Sequence, residues 1–247
     1  MSGHSKWSKI KHQKGVDDIK RGNLFTKLTR EIIMAAREGG GSADTNFRLR
    51  LAVQKARDSN MPMDNIDRAI KKGTGELGGG SLAEMVLEGY GPNGIAILVN
   101  ALSDNRNRTV QEVRSTFTRH GGSLGESGCV AWLFESKGVI TIKTENIDAD
   151  ELALAAIDAG AEDVKVESGY MEVYTAPDQL EKVRQALEKN KMAIESSELT
   201  KAPKSLIKLD EKSGLQAFKL LEKLEEIDDV QNVYSNADIP DAVYQAA

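Results

Sequence analysis

The chain has 247 residues and a mass of 26.9 kDa, with 40% hydrophobic and 29% charged residues, a core-forming composition that excludes a disordered chain. A single cysteine, Cys129, excludes an intramolecular disulfide and a four-thiolate metal site, and three histidines leave little for a histidine-rich centre. No apolar run is long enough to span a bilayer, and the basic N-terminus lacks the apolar segment of a secretory signal, so a reducing cytoplasm is expected and no membrane partner. The net charge of −5 hides a polarity. Residues 1–75 hold 16 of the 33 basic residues and only 8 of the 38 acidic ones, a net of +8, and the remaining 17 and 30 leave −13 for the body. A basic head on an acidic body points to a polyanion at one end.

Ser2 to Lys14 reads as an arm, rich in lysine, without acids and without a sustained apolar period. Gly22 to Arg37 reads as a helix with Phe25, Leu28, Ile32 and Ala35 on its buried stripe, and Lys27, Arg30, Met34 and Arg37 opposite. Gly39-Gly40-Gly41 ends it. A second helix is expected from Asn46 to Asp58, with Phe47, Leu51 and Ala52 inward and Arg48, Arg50, Lys55 and Arg57 largely outward. Asn60-Met61-Pro62 breaks the chain. Asp64 is the expected N-cap of a third helix carrying Ile66, Ala69 and Ile70, with Lys71 and Lys72 in its last turn and Gly73 as its stop. Gly73 to Ser81 reads as a flexible linker.

The body changes period. Met85–Tyr90 and Ile95–Leu102 read as strands around Gly91-Pro92-Asn93-Gly94, and Asn107–His120 as a helix stopped by Gly121-Gly122. Cys129–Glu135 and Val139–Lys143 are expected as two strands on either side of Ser136-Lys137-Gly138. Asp148 caps a helix to Ala159, Asp163–Glu167 and Tyr170–Tyr174 form a hairpin, Pro177 opens a helix to Glu188, and a strand lies near Ala193–Leu199. A strand at Leu206–Leu209, a helix from Ser213 to Ile227 and a strand at Val230–Tyr234 close the chain. The order from Val139 to Leu199 is β-α-β-β-α-β, the ferredoxin-like unit, and the flanking pieces suggest a second, similar sandwich around it. The expected class is therefore α+β. A helical domain at 1–79 precedes two ferredoxin-like domains, one discontinuous at 80–135 and 206–247 and the other inserted at 136–205.

Chemistry is sparse. Gly73-Thr-Gly75-Glu-Leu-Gly78 matches G-x-G-x-x-G, but a helix precedes it and more glycine follows, so the linker reading prevails over a dinucleotide fingerprint. No P-loop is present. Cys129 with His120 is the one nucleophile pairing on offer, and the apolar run around Cys129 favours a buried thiol acting as a small hydrophobe. No carboxylate pair is spaced for acid–base work. No catalytic residue, metal or cofactor is expected.

The basic head is the strong signal. Lysines that neutralise phosphates release counterions and bind nucleic acid in a salt-dependent way. Lys6, Lys9, Lys11, His12 and Lys14 of the arm are the expected phosphate contacts, and Lys20, Arg21, Lys27 and Arg30 extend the patch along the first helix. Trp7 either stacks on bases or packs the arm onto the bundle, with Ile10 one turn later. Base reading by the third helix is disfavoured, because Asp64 and Asp67 sit at its leading end.

The arm Gly3-His-Ser-Lys-Trp-Ser-Lys-Ile-Lys-His-Gln-Lys14 resembles the opening of the YebC family. So do Arg21-Gly-Asn-Leu-Phe-Thr-Lys-Leu-Thr-Arg-Glu31 and Asn60-Met-Pro-Met-Asp-Asn-Ile-Asp-Arg-Ala-Ile-Lys-Lys-Gly-Thr-Gly75. Glu88-Gly-Tyr-Gly-Pro-Asn-Gly94, Asn105-Arg-Asn-Arg-Thr109, His120-Gly-Gly-Ser-Leu-Gly125 and Gly128-Cys-Val-Ala-Trp-Leu-Phe134 carry the resemblance through the body. It implies a helical N-terminal domain followed by two α/β domains, the third inserted in the second. It also implies a probable transcriptional regulator that binds DNA. Mitochondrial relatives resemble translational activators of cytochrome oxidase subunit I, so a ribosome-associated translation factor is the alternative, with structured RNA as the polyanion. The start of the chain at the motif fits a bacterial cytoplasmic member. The acidic α/β domains are left free for protein partners, and the oligomeric state is open.

Overall fold

The computed structural model describes residues 18–78, 82–144, 149–167, 169–190 and 192–246. Helices α1 (Asp18–Gly39), α2 (Phe47–Asp58) and α3 (Met63–Gly73) come first. Leu28, Ile32, Ile33 and Ala36 of α1 meet Leu49, Val53 and Ala56 of α2 and Ile66 and Ala69 of α3 in one aliphatic core. The stripe of α2 therefore runs through Leu49, Ala52, Val53 and Ala56, and the expected Phe47 and Leu51 lie at its margin, half-buried.

Asn46 joins the first two helices. Its Oδ1 accepts the Leu49 N–H at 3.0 Å, while its Nδ2 donates to the carbonyls of Ala35 and Gly40 at 2.7 and 2.8 Å. One buried side chain thus caps the start of α2 and the end of α1. Asp64 does not cap α3 as expected. Pro62 occupies that position, and Asp64 sits within the first turn, where the helix dipole favours an acid. Gly73 is more than a stop. A Cβ there would stand 2.6 Å from the Ile33 carbonyl oxygen and 2.7 Å from the Ala36 Cβ, so its bareness lets α3 lie directly on α1.

The chain forms two compact units, one comprising the residues up to Leu133 and from Pro203 onward, the other Phe134–Ala202. In the first, β1 (Ala83–Tyr90) and β2 (Ala96–Ser103) form an antiparallel hairpin with Gly89 opposite Ile97. Then come α4 (Arg106–Arg119) and the short strand β3 (Ser123–Leu124). After the second unit the chain adds β8 (Ile207–Lys208), α7 (Glu211–Glu225), β9 (Val230–Ser235), β10 (Ala237–Asp238) and α8 (Asp241–Ala246). The sheet order is β3-β1-β2-β9, and β8 pairs with β10 in a separate parallel ribbon. Val113 and Phe117 of α4 and Phe218, Leu221 and Leu224 of α7 cover one face of the sheet. Helix α1 also packs against β9, so Met34, expected toward solvent, is buried.

The second unit contains β4 (Phe134–Lys143), α5 (Ala149–Asp158), β5 (Asp163–Glu167), β6 (Tyr170–Thr175), α6 (Leu180–Lys189) and β7 (Ile194–Pro203, its last residue in the first unit). Its order, β5-β6-β4-β7, with β6 antiparallel to both neighbours given by register, is that of a ferredoxin-like sandwich. The first sheet has the same spatial plan reached by another path. Its two central strands are joined directly, and one outer strand arrives only at the C-terminus. The protein is thus α+β, a helical head followed by antiparallel sheets.

The expected turn at Ser136-Lys137-Gly138 is absent. Phe134–Lys143 is one strand, and a Cβ on Gly138 would stand 2.3 Å from the Thr175 Oγ1 and 2.9 Å from Leu180, so this glycine serves close packing. The segment before it is not a strand either: Ala131–Leu133 is a 3₁₀ turn. Pro177 opens a turn, and α6 starts at Leu180. Asp148, the expected cap of α5, lies outside the described residues. Entry to and exit from the second unit are neighbours, since the Lys204 N–H donates to the Leu133 carbonyl at 2.9 Å.

Candidate nucleic-acid interface

Lys6, Trp7, Lys9, Lys11, His12 and Lys14 lie outside the described residues. Lys20 and Arg21 fall in the opening turn of α1. Lys27 and Arg30, the last two members of the expected patch, do not extend a free basic face. The Lys27 Nζ donates to the carbonyl oxygen of Glu225, the last residue of α7, where a helix C-terminus favours a cation. Arg30 donates to the Asp228 carbonyl and pairs through Nη2 with the Asp229 Oδ1 at 3.0 Å.

Asp229 is buried and fully engaged. Its Oδ2 accepts from the Thr109 hydroxyl at 2.6 Å, Arg108 Nη2 at 2.9 Å and the Ser103 hydroxyl at 3.0 Å. Burial alone would raise its pKa, but the hydrogen bonds from Thr109, Arg108 and Ser103 and the charge of Arg30 outweigh that and hold it below the ordinary aspartate value. Arg30, on α1, and Arg108, on α4, thus meet on one carboxylate and tie the helical head to the sheet. Arg48 makes a second tie, to Glu31 and Glu38 of its own bundle at 3.0 and 2.6 Å and to Glu84 of β1 at 3.3 Å.

The cations left outward are elsewhere on the head. Arg57, Arg68, Lys71 and Lys72 are exposed and have no partner among the described residues. Arg68, Lys71 and Lys72 stand three and four residues apart, so they share one side of α3. In the sequence Lys71 and Lys72 read as complements of the helix dipole, and base reading by the third helix as a whole is disfavoured by Asp64 and Asp67. The missing signal was which cations the fold consumes internally.

The loop after β3 is also set by a buried carboxylate. Glu88 accepts the N–H groups of Gly128, Val130 and Ala131 at 2.6–2.8 Å. Burial pushes its pKa up, but those three donors prevail and lower it. Cys129 sits on this loop. It is half-exposed, not a buried strand residue, because the chain turns here around Glu88. Its carbonyl accepts from the Tyr90 hydroxyl and the Trp132 indole, both at 3.1 Å. His120 turns its Nδ1 to the Thr116 carbonyl at 2.9 Å.

Among the described residues no helix is long and apolar enough to cross a membrane. The fold and its charge pattern define a modular α+β protein, a cation-bearing helical head clamped to a split sandwich that carries a second one. Family models agree over nearly the whole length. The TACO1/YebC N-terminal domain matches residues 5–76, and the TACO1/YebC second and third domain matches residues 82–237. The chain belongs to the TACO1/YebC family. It is similar to a "probable transcriptional regulatory protein" of Dehalococcoides mccartyi, 61% identical over 99% of this chain and 98% of the relative. Another protein of that description, from Natranaerobius thermophilus, is 52% identical over 99% of each chain. The crystal structure of a conserved hypothetical protein from Aquifex aeolicus superposes with a TM-score of 0.83 at 46% identity, over 93% of this chain and 98% of that one.

Proposed function

We propose that the protein is a non-enzymatic, cytoplasmic regulator of transcription that binds DNA through its basic helical domain. The observation that carries the reading is the set of exposed cations Arg57, Arg68, Lys71 and Lys72, without partners among the described residues, on a domain that also bears the basic arm. Cations that fold into ion pairs have spent their charge. Cations left on one side of a helix remain available to phosphate oxygens. The names of the relatives support regulation as the role. Lys6, Lys9, Lys11, His12 and Lys14 contribute further phosphate contacts, with Trp7 beside them. Lys20 and Arg21 are counted with these contacts, whereas Lys27 and Arg30 hold the domain in place.

Fluorescence anisotropy with duplex DNA over a range of salt concentrations tests this. Each phosphate contact contributes roughly 0.9 to the slope of log affinity against log salt. R68E/K71E/K72E and K9E/K11E/K14E are each expected to weaken binding on all sequences and to flatten that slope. Unchanged affinity and slope in both would overturn the reading. Salt-resistant binding to ribosomal RNA with none to DNA would replace DNA by RNA as the target.

A further inference from the structure

The hairpin strand β1 is longer than the strand that covers its outer edge. β3 pairs only with Gly89 and Tyr90, and the Gly125 N–H closes on the Glu88 carbonyl at 2.8 Å before the chain turns away. That bond shows that the main-chain groups of Glu88 face outward. By the two-residue period of a strand, so do those of Val86 and Glu84. The register agrees: the Gly91 N–H bonds the Ile95 carbonyl, which puts the odd-numbered residues of β1 in the hydrogen-bonded pairs with β2. Among the described residues no strand pairs with this edge before Glu88.

Beside it lies a cavity of about 480 Å³, between Val86–Glu88 and one side of α4. Arg106, Asn107, Val110, Gln111 and Arg114 form the α4 wall, and Leu124, Gly125 and Ser127 close one end. Arg106 and Arg114 are exposed and have no partner among the described residues. The one acid in the lining, Glu88, has its oxygens filled by three backbone N–H groups. The groove therefore offers open strand hydrogen bonds on one wall, two free guanidinium groups on the other and an apolar contact at Val110 and Leu124.

We propose that this groove binds an extended acidic segment of a partner protein, which adds to β1 as a strand in line with β3. Main-chain hydrogen bonds to Val86 and Glu84 supply the pairing, and Arg106 and Arg114 select the charge. The two arginines are eight residues apart on α4, a rise of about 12 Å. Acids four residues apart on one face of a strand are separated by about 13 Å, so the spacing selects that arrangement. A phosphate backbone would satisfy the arginines but leave the strand edge unpaired. The protein's own arm is basic and is repelled by the same two side chains. The Glu84 end of the edge touches Arg48 of the helical head, but the groove uses none of the head's exposed cations, so it stands or falls apart from the DNA reading.

Selection of random octapeptides displayed on phage, against the whole protein, tests the proposal. Enriched sequences are expected to carry Asp or Glu at positions four apart. The corresponding synthetic peptides should slow hydrogen exchange of the Val86 amide, and should bind R106E/R114E about tenfold more weakly or worse. Enrichment without acids, equal binding to R106E/R114E, or no clone above background would overturn the proposal. So would displacement of the peptides from the Val86 edge by a short oligouridylate, which would make the groove a phosphate site.

Discussion

Two positive clusters of the same helical head have opposite fates. Arg30, with Lys27 one turn before it, is turned onto Asp229 and the end of α7, while Arg68, Lys71 and Lys72 on α3 meet nothing among the described residues. Both clusters look alike in sequence, cations on one side of an amphipathic helix. The difference teaches that a count of positive charge overstates a binding surface, because part of the charge is used to assemble the domains.

The comparison can be broken most directly at Asp229. Asp229→Ala leaves the buried Thr109 and Ser103 hydroxyls without their acceptor and Arg30 without its partner, and a loss of about 3 kcal/mol in urea unfolding is expected. R68E/K71E/K72E is expected to cost only about 1 kcal/mol, because glutamates replace two lysines that the end of α3 favours, while weakening nucleic-acid binding. If the two variants exchanged these outcomes, the assignment of the clusters would be reversed.

The seat of α3 sharpens the same contrast. Gly73→Ala forces a methyl group against the Ile33 carbonyl, and about 2 kcal/mol is the expected cost. Because that shift moves the helix carrying the free cations, weaker DNA binding should accompany it. A smaller effect is expected at the other buried carboxylate. Glu88→Gln keeps an acceptor but turns an amide donor toward backbone N–H groups, costing about 1.5 kcal/mol. Its disturbance should be confined to the loop Gly125–Leu133 in amide spectra.

Acid should loosen the Asp229 clamp. The folded pKa of Asp229 is depressed, so its contribution is complete above the unfolded value of about 3.9 and disappears as pH falls through the lower folded one. Asp229→Asn is expected to flatten stability against pH across that window. An unchanged profile would show that Asp229 does not carry the acid sensitivity.

Much of the fold was legible because periodicity reports burial locally. The stripe Leu28, Ile32, Ala35, the alternation of the hairpin and the β-α-β-β-α-β order needed no long-range information. What sequence missed depends on distant contacts. Gly138 was expected in a turn, yet it is bare because Thr175 and Leu180 lie on it. Met34 was placed toward solvent, yet α1 also meets β9. The candidate site shows the same limit. Arg30 and Asp229 are 199 residues apart in the chain, and no local pattern links them. The open edge of β1 became visible only through the shortness of β3, a two-residue strand with no sequence signature of its own.

The bond between the Lys204 amide and the Leu133 carbonyl makes this position a natural graft point. The two halves of the split sandwich are already sewn together at the place where the polypeptide leaves and returns. A short glycine bridge could replace residues 134–202 without straining either side. The same junction could receive a fluorescent or affinity module, so the architecture is a socket as well as a scaffold.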